Sequence, residues 1–129
     1  MRISKTMVKY YLSYLTVGYF GDHAEPAEDF EEYAPIIRNI RVLAERAGDL
    51  PWLQLAIEHL LSDSNANLKE YDGGYYPFSR DQIEQHLYHV WKTLWPGAEL
   101  GQPGEGPTVE LVEMSADEWL EYRKSLSGV

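Results

Sequence analysis

Residues 79–94 read SRDQIEQHLYHVWKTL, and this stretch decides the fold class. Ser79 and Gln82 form a capping-box pair: the hydroxyl accepts an amide proton of the first turn, and the glutamine reaches back to the amide of Ser79. Ile83, Leu87, Val90 and Leu94 follow at 4-3-4 spacing, which draws one apolar stripe along a helix of 3.6 residues per turn. Trp95-Pro96-Gly97 ends the pattern. Such a stripe must be buried, so neighbouring segments have to offer apolar faces of their own.

The preceding segments do so. Residues 50–61 carry Pro51 in a first turn and Trp52, Leu53, Ala56, Ile57 and Leu60 on one side, with Asp49 placed as the cap. Further upstream, Pro26-Ala27-Glu28-Asp29 has the marks of a helix start, proline in the first turn and acids at the positive end of the dipole. Phe30, Tyr33, Ile37, Ile40, Ala44 and Ala47 then share a face. Pro35 removes an internal hydrogen bond and crowds the carbonyl of Glu31, which predicts a kink or restart there, and Gly48 is the expected stop. In residues 3–20, Lys5, Thr6, Lys9, Ser13 and Thr16 occupy a narrow polar arc and the rest is apolar. That pattern favours a central helix ending at Gly18 and Gly21, over the strand that its Tyr, Val and Thr content would also allow.

Downstream, residues 96–107 hold four glycines and three prolines, too many for a regular element. Residues 108–114 are strand-like, and Ser115 with Glu118 forms a second capping box opening a short helix to Leu126. A lone strand needs a partner, which the N-terminal residues, the aromatic stretch near Tyr75 or another copy would supply. The expected architecture is mainly α: a compact bundle of about four to five helices with a kink at Pro35, plus a short C-terminal strand and helix. Residues 1–95 form the helical core, 96–107 a linker or loop, and 108–129 a segment docked on the same single domain.

At 129 residues the chain is long enough for one core. Cysteine is absent, which excludes disulfides and thiolate chemistry and suits a reducing compartment. The N-terminal stretch lacks a signal-peptide pattern and no run approaches the ~18 apolar residues of a membrane helix, so a cytoplasmic protein is expected. Acidic residues outnumber basic ones 21 to 11, for a net charge of −10. Their placement matters more than their total: residues 1–20 carry three basic and no acidic side chains, whereas Asp22, Glu25, Glu28, Asp29, Glu31 and Glu32 crowd eleven positions without a lysine or arginine. This acidity disfavours direct contact with nucleic acid or anionic membranes and favours basic partners.

Catalytic templates are poorly matched. His86 and His89 lie three apart on a helix, and His59 would have to join them to make a metal site or an acid–base enzyme. Neither HExxH nor the Glu-x-x-His pattern of carboxylate-bridged bundles is present. His86 is placed at the border of the polar face and His89 within it. Asp81 and Glu84 are explained by the first turn of their helix. No nucleophile elbow, phosphate loop or dinucleotide fingerprint occurs, and no cofactor is implied.

Two features suit binding better. One is the acidic stretch 22–32, read as a helix carrying Glu28, Glu31 and Glu32 outward, with spaced carboxylates standing in for phosphates. The other is the loop Tyr71-Asp72-Gly73-Gly74-Tyr75-Tyr76-Pro77-Phe78, which concentrates rings where the backbone turns; Tyr71, Tyr75, Tyr76 and Phe78 are either partner-binding or folded over the core toward Trp91 and Trp95. The expected function is that of an acidic protein-binding module, an inhibitor or immunity-type protein that blocks a basic surface on a nucleic-acid-binding effector or nuclease. Inhibitors of nucleases, restriction systems and CRISPR effectors share this size and acidity as a class. The alternatives are the small histidine enzyme and a non-catalytic subunit that dimerises through the 108–114 strand.

Overall fold

The computed structural model describes residues 1–102, 104–106 and 108–126. Pro103, Pro107 and residues 127–129, which belong to the predicted loop and C-terminal segment, lie outside the described residues. Strand β1 (Arg2–Ser4) leads directly into α1 (Lys5–Thr16), followed by α2 (Ala34–Ala47), α3 (Leu50–Ser62), α4 (Arg80–Leu94), β2 (Glu110–Val112) and α5 (Ala116–Leu126). Short 3₁₀ turns cover Gly18–Gly21, Phe30–Tyr33 and Leu68–Tyr71. The mainly α bundle with a C-terminal strand and helix is therefore what the chain adopts.

The capping logic holds at α4. Ser79 Oγ accepts from Gln82 N and the glutamine side chain accepts from Ser79 N, while Ile83, Leu87, Val90 and Leu94 are all buried. Helices α3 and α2 pack against α4, and Leu53, Ala56, Ile57 and Leu60 of α3 with Ile37, Ile40 and Ala44 of α2 are buried in the same core. Gly48 takes a left-handed φ of 77°, which turns the chain between α2 and α3.

The N-terminal stretch is part strand and part helix. Residues 2–4 are extended and pair in parallel with β2, with Ile3 opposite Leu111, so the strand of residues 108–114 finds its partner at the start of the same chain. Ser4 then caps α1 by accepting from Met7 N. Thr16, read as part of the polar arc, is buried and returns its hydroxyl to the carbonyl of Leu12, whereas Tyr10 is 52% exposed.

The helix predicted from Pro26 is absent. Residues 22–29 are irregular, Asp29 caps the 3₁₀ turn Phe30–Tyr33, and α2 begins at Ala34 with Pro35 in its first turn. Pro35 thus starts a helix instead of kinking one, because its missing N–H falls where no intrahelical bond is made. Ala47, assigned to the buried face, is exposed.

Gly104 and Gly106 meet the C-terminal end of α3, Gly104 N donating to the carbonyl of Ser62 at 2.8 Å and Gly106 lying against Ser62 and Glu58. Glu113 then accepts from Thr6 and Lys9 of α1, at 2.9 and 3.2 Å. The second capping box also forms, between Ser115 and Glu118. Among the described residues no helix is long and apolar enough to cross a membrane.

Candidate protein interaction surface

The acidic segment is pinned by aromatic rings on both flanks. The 3₁₀ turn Gly18–Gly21 buries Tyr19 and Phe20 just before it, and Tyr33 lies buried just after it. Tyr19 donates its hydroxyl to Glu32 at 2.8 Å, stacks on His23 at 3.8 Å between centroids, and meets Tyr33 edge-on. Burial, and then acceptance of its proton by Glu32, push the Tyr19 phenol up to about 12. Tyr33 in turn accepts from Ala27 N at 3.2 Å. These contacts fix the path of an irregular loop without burying its charges: Asp22, Glu25, Glu28, Asp29, Glu31 and Glu32 are all exposed. Glu28, Glu31 and Glu32 are consequently held on a loop and a 3₁₀ turn, and not along the α-helix expected from sequence.

The aromatic loop arrives at the same place. Gly73 has φ of 78°, and a side chain there would come within 2.6 Å of Thr16 Oγ1 and Val17 Cγ2, so the turn is pressed against the end of α1. Asp72 Oδ1 accepts from Gly74 N to close it. From this turn Tyr76 stacks on Phe20, with centroids 5.4 Å apart and planes 9° apart, and Tyr75 leans on the same ring at 5.2 Å. Phe20 therefore joins two segments that are more than fifty residues apart in sequence, seating Tyr75 and Tyr76 on the turn that precedes the acidic segment.

The four predicted binding aromatics divide evenly. Tyr71 and Phe78 are buried core residues and are unavailable to a partner, whereas Tyr75 is 65% exposed and Tyr76 half-buried. The rings that receive them are Phe20 and His86, which packs 4.8 Å from Phe78. Trp91 serves elsewhere, donating to Glu58 and lying against Tyr88.

His86 and His89 meet the same Phe30 ring, and His59 lies apart from them. His86, placed by sequence at a polar border, is buried among Phe30, Tyr33 and Phe78, with Nδ1 2.6 Å from the Gln82 carbonyl and Nε2 3.4 Å from Tyr33 Oη. Burial holds its pKa below the usual histidine value. His89 rests against Phe30 and lies 4.0 Å from Glu31. His59 lines a separate pocket with Ser62 and Asp63. Among the described residues no cluster of three or more His, Asp or Glu is arranged to hold a metal. A cleft of about 550 Å³ continues the acidic surface from Phe30 past His89 to Asp81, Glu84 and Tyr88.

Asp49 was assigned a local capping role and has a different one. Its side chain makes no cap bond; it is buried, and it accepts from the Tyr11 hydroxyl at 2.5 Å, Trp119 Nε1 at 2.9 Å and Arg123 Nη1 at 3.1 Å. One carboxylate thereby ties α1, the α2–α3 corner and α5 together. Comparison with family models, curated proteins and solved structures finds no match, so no activity is carried to this chain by likeness.

Proposed function

We propose that this chain is a protein-binding module whose acidic loop 22–32, with Tyr75 and Tyr76, covers a basic surface of the kind that holds nucleic acid on an effector or nuclease. The observation that carries the reading is the seat of Tyr75 and Tyr76 on Phe20, two residues before Asp22 and the run of exposed carboxylates that follows it. Charge of one sign, concentrated on one face, accelerates encounter with a basic partner and fixes its register. Tyrosine adds apolar contact area and a hydroxyl at small entropic cost, and stacks with arginine guanidinium groups. The loop is already pinned by Tyr19, Tyr33 and Phe20, so less ordering remains to oppose binding. Carboxylates spread over such a surface act as phosphate substitutes, and inhibition by occupancy follows without any catalytic step.

The test is titration of the protein, by proton–nitrogen correlation spectra, with a synthetic peptide of alternating arginine and glycine. Shifts confined to residues 19–33 and 71–78, weakening as salt rises, are the expected result. Shifts centred on the acidic residues of α5, or none at all, would remove this face from the reading.

A further inference from the structure

A groove of about 440 Å³ runs between α1 and α5 and ends against the α2–α3 corner, on residues the acidic face does not use. Its walls are mostly apolar, from Met7, Tyr10 and Tyr11 on one side and Met114, Trp119 and Leu120 on the other. Small-molecule sites have this size, roughly 300–1,000 Å³, and this make-up of apolar walls with a few convergent polar groups. Tyr10 and Leu120 remain 52% and 43% exposed, so packing among the described residues leaves the groove unfilled.

The polar side chains along the groove are engaged, with one exception. Ser4 caps α1, Thr6 donates to Glu113, Tyr11 donates to Asp49, and Tyr10 shares a hydrogen bond with Tyr14. Arg123 is the exception. Among the described residues its guanidinium bonds through Nη1, to Asp49 Oδ1 at 3.1 Å and the Ala47 carbonyl at 3.0 Å, while its Nε–H is buried without an acceptor. A buried donor of a charged group left unmet is costly, more so than a neutral one. The edge that remains, Nε with Nη2, is the side of the guanidinium that takes two oxygens of a carboxylate in parallel.

Electrostatics near the groove permit an anion despite the charge of the whole chain. Among the lining residues the carboxylate is Asp49, whose charge is met by Arg123, Tyr11 and Trp119, while Asp117, Glu118 and Glu121 of α5 are exposed and outside the lining. The wall supplied by residues 1–20 has no acidic side chain, and Glu113 is held by Thr6 and Lys9. Charges of the 22–32 loop act through solvent and are screened beyond about 10 Å.

We propose that this groove binds a small carboxylic acid with a flat apolar body, its carboxylate on the Nε–Nη2 edge of Arg123 and its body between Met7, Tyr10 and Leu120. A small turn of the guanidinium, with Nη1 kept on Asp49, presents the Nε–H to the ligand. Asp49 is then the positioning residue that holds Arg123, and the carboxylate recognition belongs to Arg123.

Naphthoate is the probe, followed through the Arg123 Nε–H and Trp119 Nε1–H resonances, with uncharged naphthamide as its partner of equal shape. Saturable shifts of both resonances by naphthoate, at least tenfold tighter than by naphthamide, are expected. Ala116→Trp, which fills the groove from an exposed first-turn position of α5, should abolish them while the remaining spectrum persists. Arg123→Lys should keep the charge and lose tenfold in affinity; should that variant unfold, the acid-to-amide ratio on the unaltered protein still decides. Absence of saturable shifts, equal affinity for acid and amide, shifts centred elsewhere, or undiminished binding by Ala116→Trp would each overturn the proposal.

Discussion

Carboxylates occur in two contrasting settings. Those of residues 22–32 stand in solvent, held in place by rings beneath the loop, whereas Asp49 is withdrawn from solvent and met by three donors from two distant helices. The same group is thus a surface charge in one region and a structural joint in the other. What separates them is the cost of taking a charge out of water, which only a full set of donors offsets. The exposed set incurs no such cost and stays available to a partner.

The contrast breaks most visibly at Asp49. Asp49→Ala leaves Arg123 uncompensated and the Tyr11 and Trp119 donors unmet, so it should lower stability by about 3–5 kcal/mol in denaturant unfolding. A loss below about 1 kcal/mol would mean that α5 hardly depends on this joint. The aromatic loop offers the same contrast on a smaller scale. Phe78→Ala, at a buried ring against His86, should cost about 3–5 kcal/mol, while Tyr75→Ala on the exposed side should stay within about 0.5 kcal/mol.

The buried region should also answer to pH at both extremes. Burial first, and then the Asp49 carboxylate, raise the Tyr11 phenol, and burial raises Tyr71. Above pH 10 the unfolded chain therefore releases phenolic protons that the folded chain retains, and stability should fall from pH 10 to about 12, where Tyr19 follows. His86 works in the other direction. Its lowered folded pKa means that the unfolded chain binds the proton first, so stability should also decline as pH falls below 6.5. Thermal melts across both windows check the signs, and the His86→Gln variant should flatten the acidic limb.

The legible parts of the sequence were those fixed by neighbours in the chain. Both capping boxes, the α4 stripe and the Gly48 stop depend on residues within one or two helical turns, and all four appear as read. Pro26 and Pro35 both satisfied the rule for a first turn, and local pattern does not choose between them. The choice falls to contacts beyond one helical turn: Tyr33 accepts from Ala27 six residues back, and the Phe30 ring packs on His86 and His89 more than fifty residues on. The same holds for Asp49. Its position after Gly48 is that of a cap, but its partners lie 38 and 70 residues away. Of the candidate site, the acidic residues and Tyr75 were found by composition. Phe20, which brings them together, carries no local mark of that role.

Capture from a lysate of the source cells, run side by side with the unaltered protein, Glu25→Lys/Glu28→Lys/Glu31→Lys and Asp49→Asn, tests the division of roles while leaving the Tyr19–Glu32 hydrogen bond in place. Basic, nucleic-acid-binding proteins should be retained by the unaltered chain and by folded Asp49→Asn, and lost from the charge-reversed variant although its melting is little changed. Retention of the same proteins by the charge-reversed variant would contradict that division.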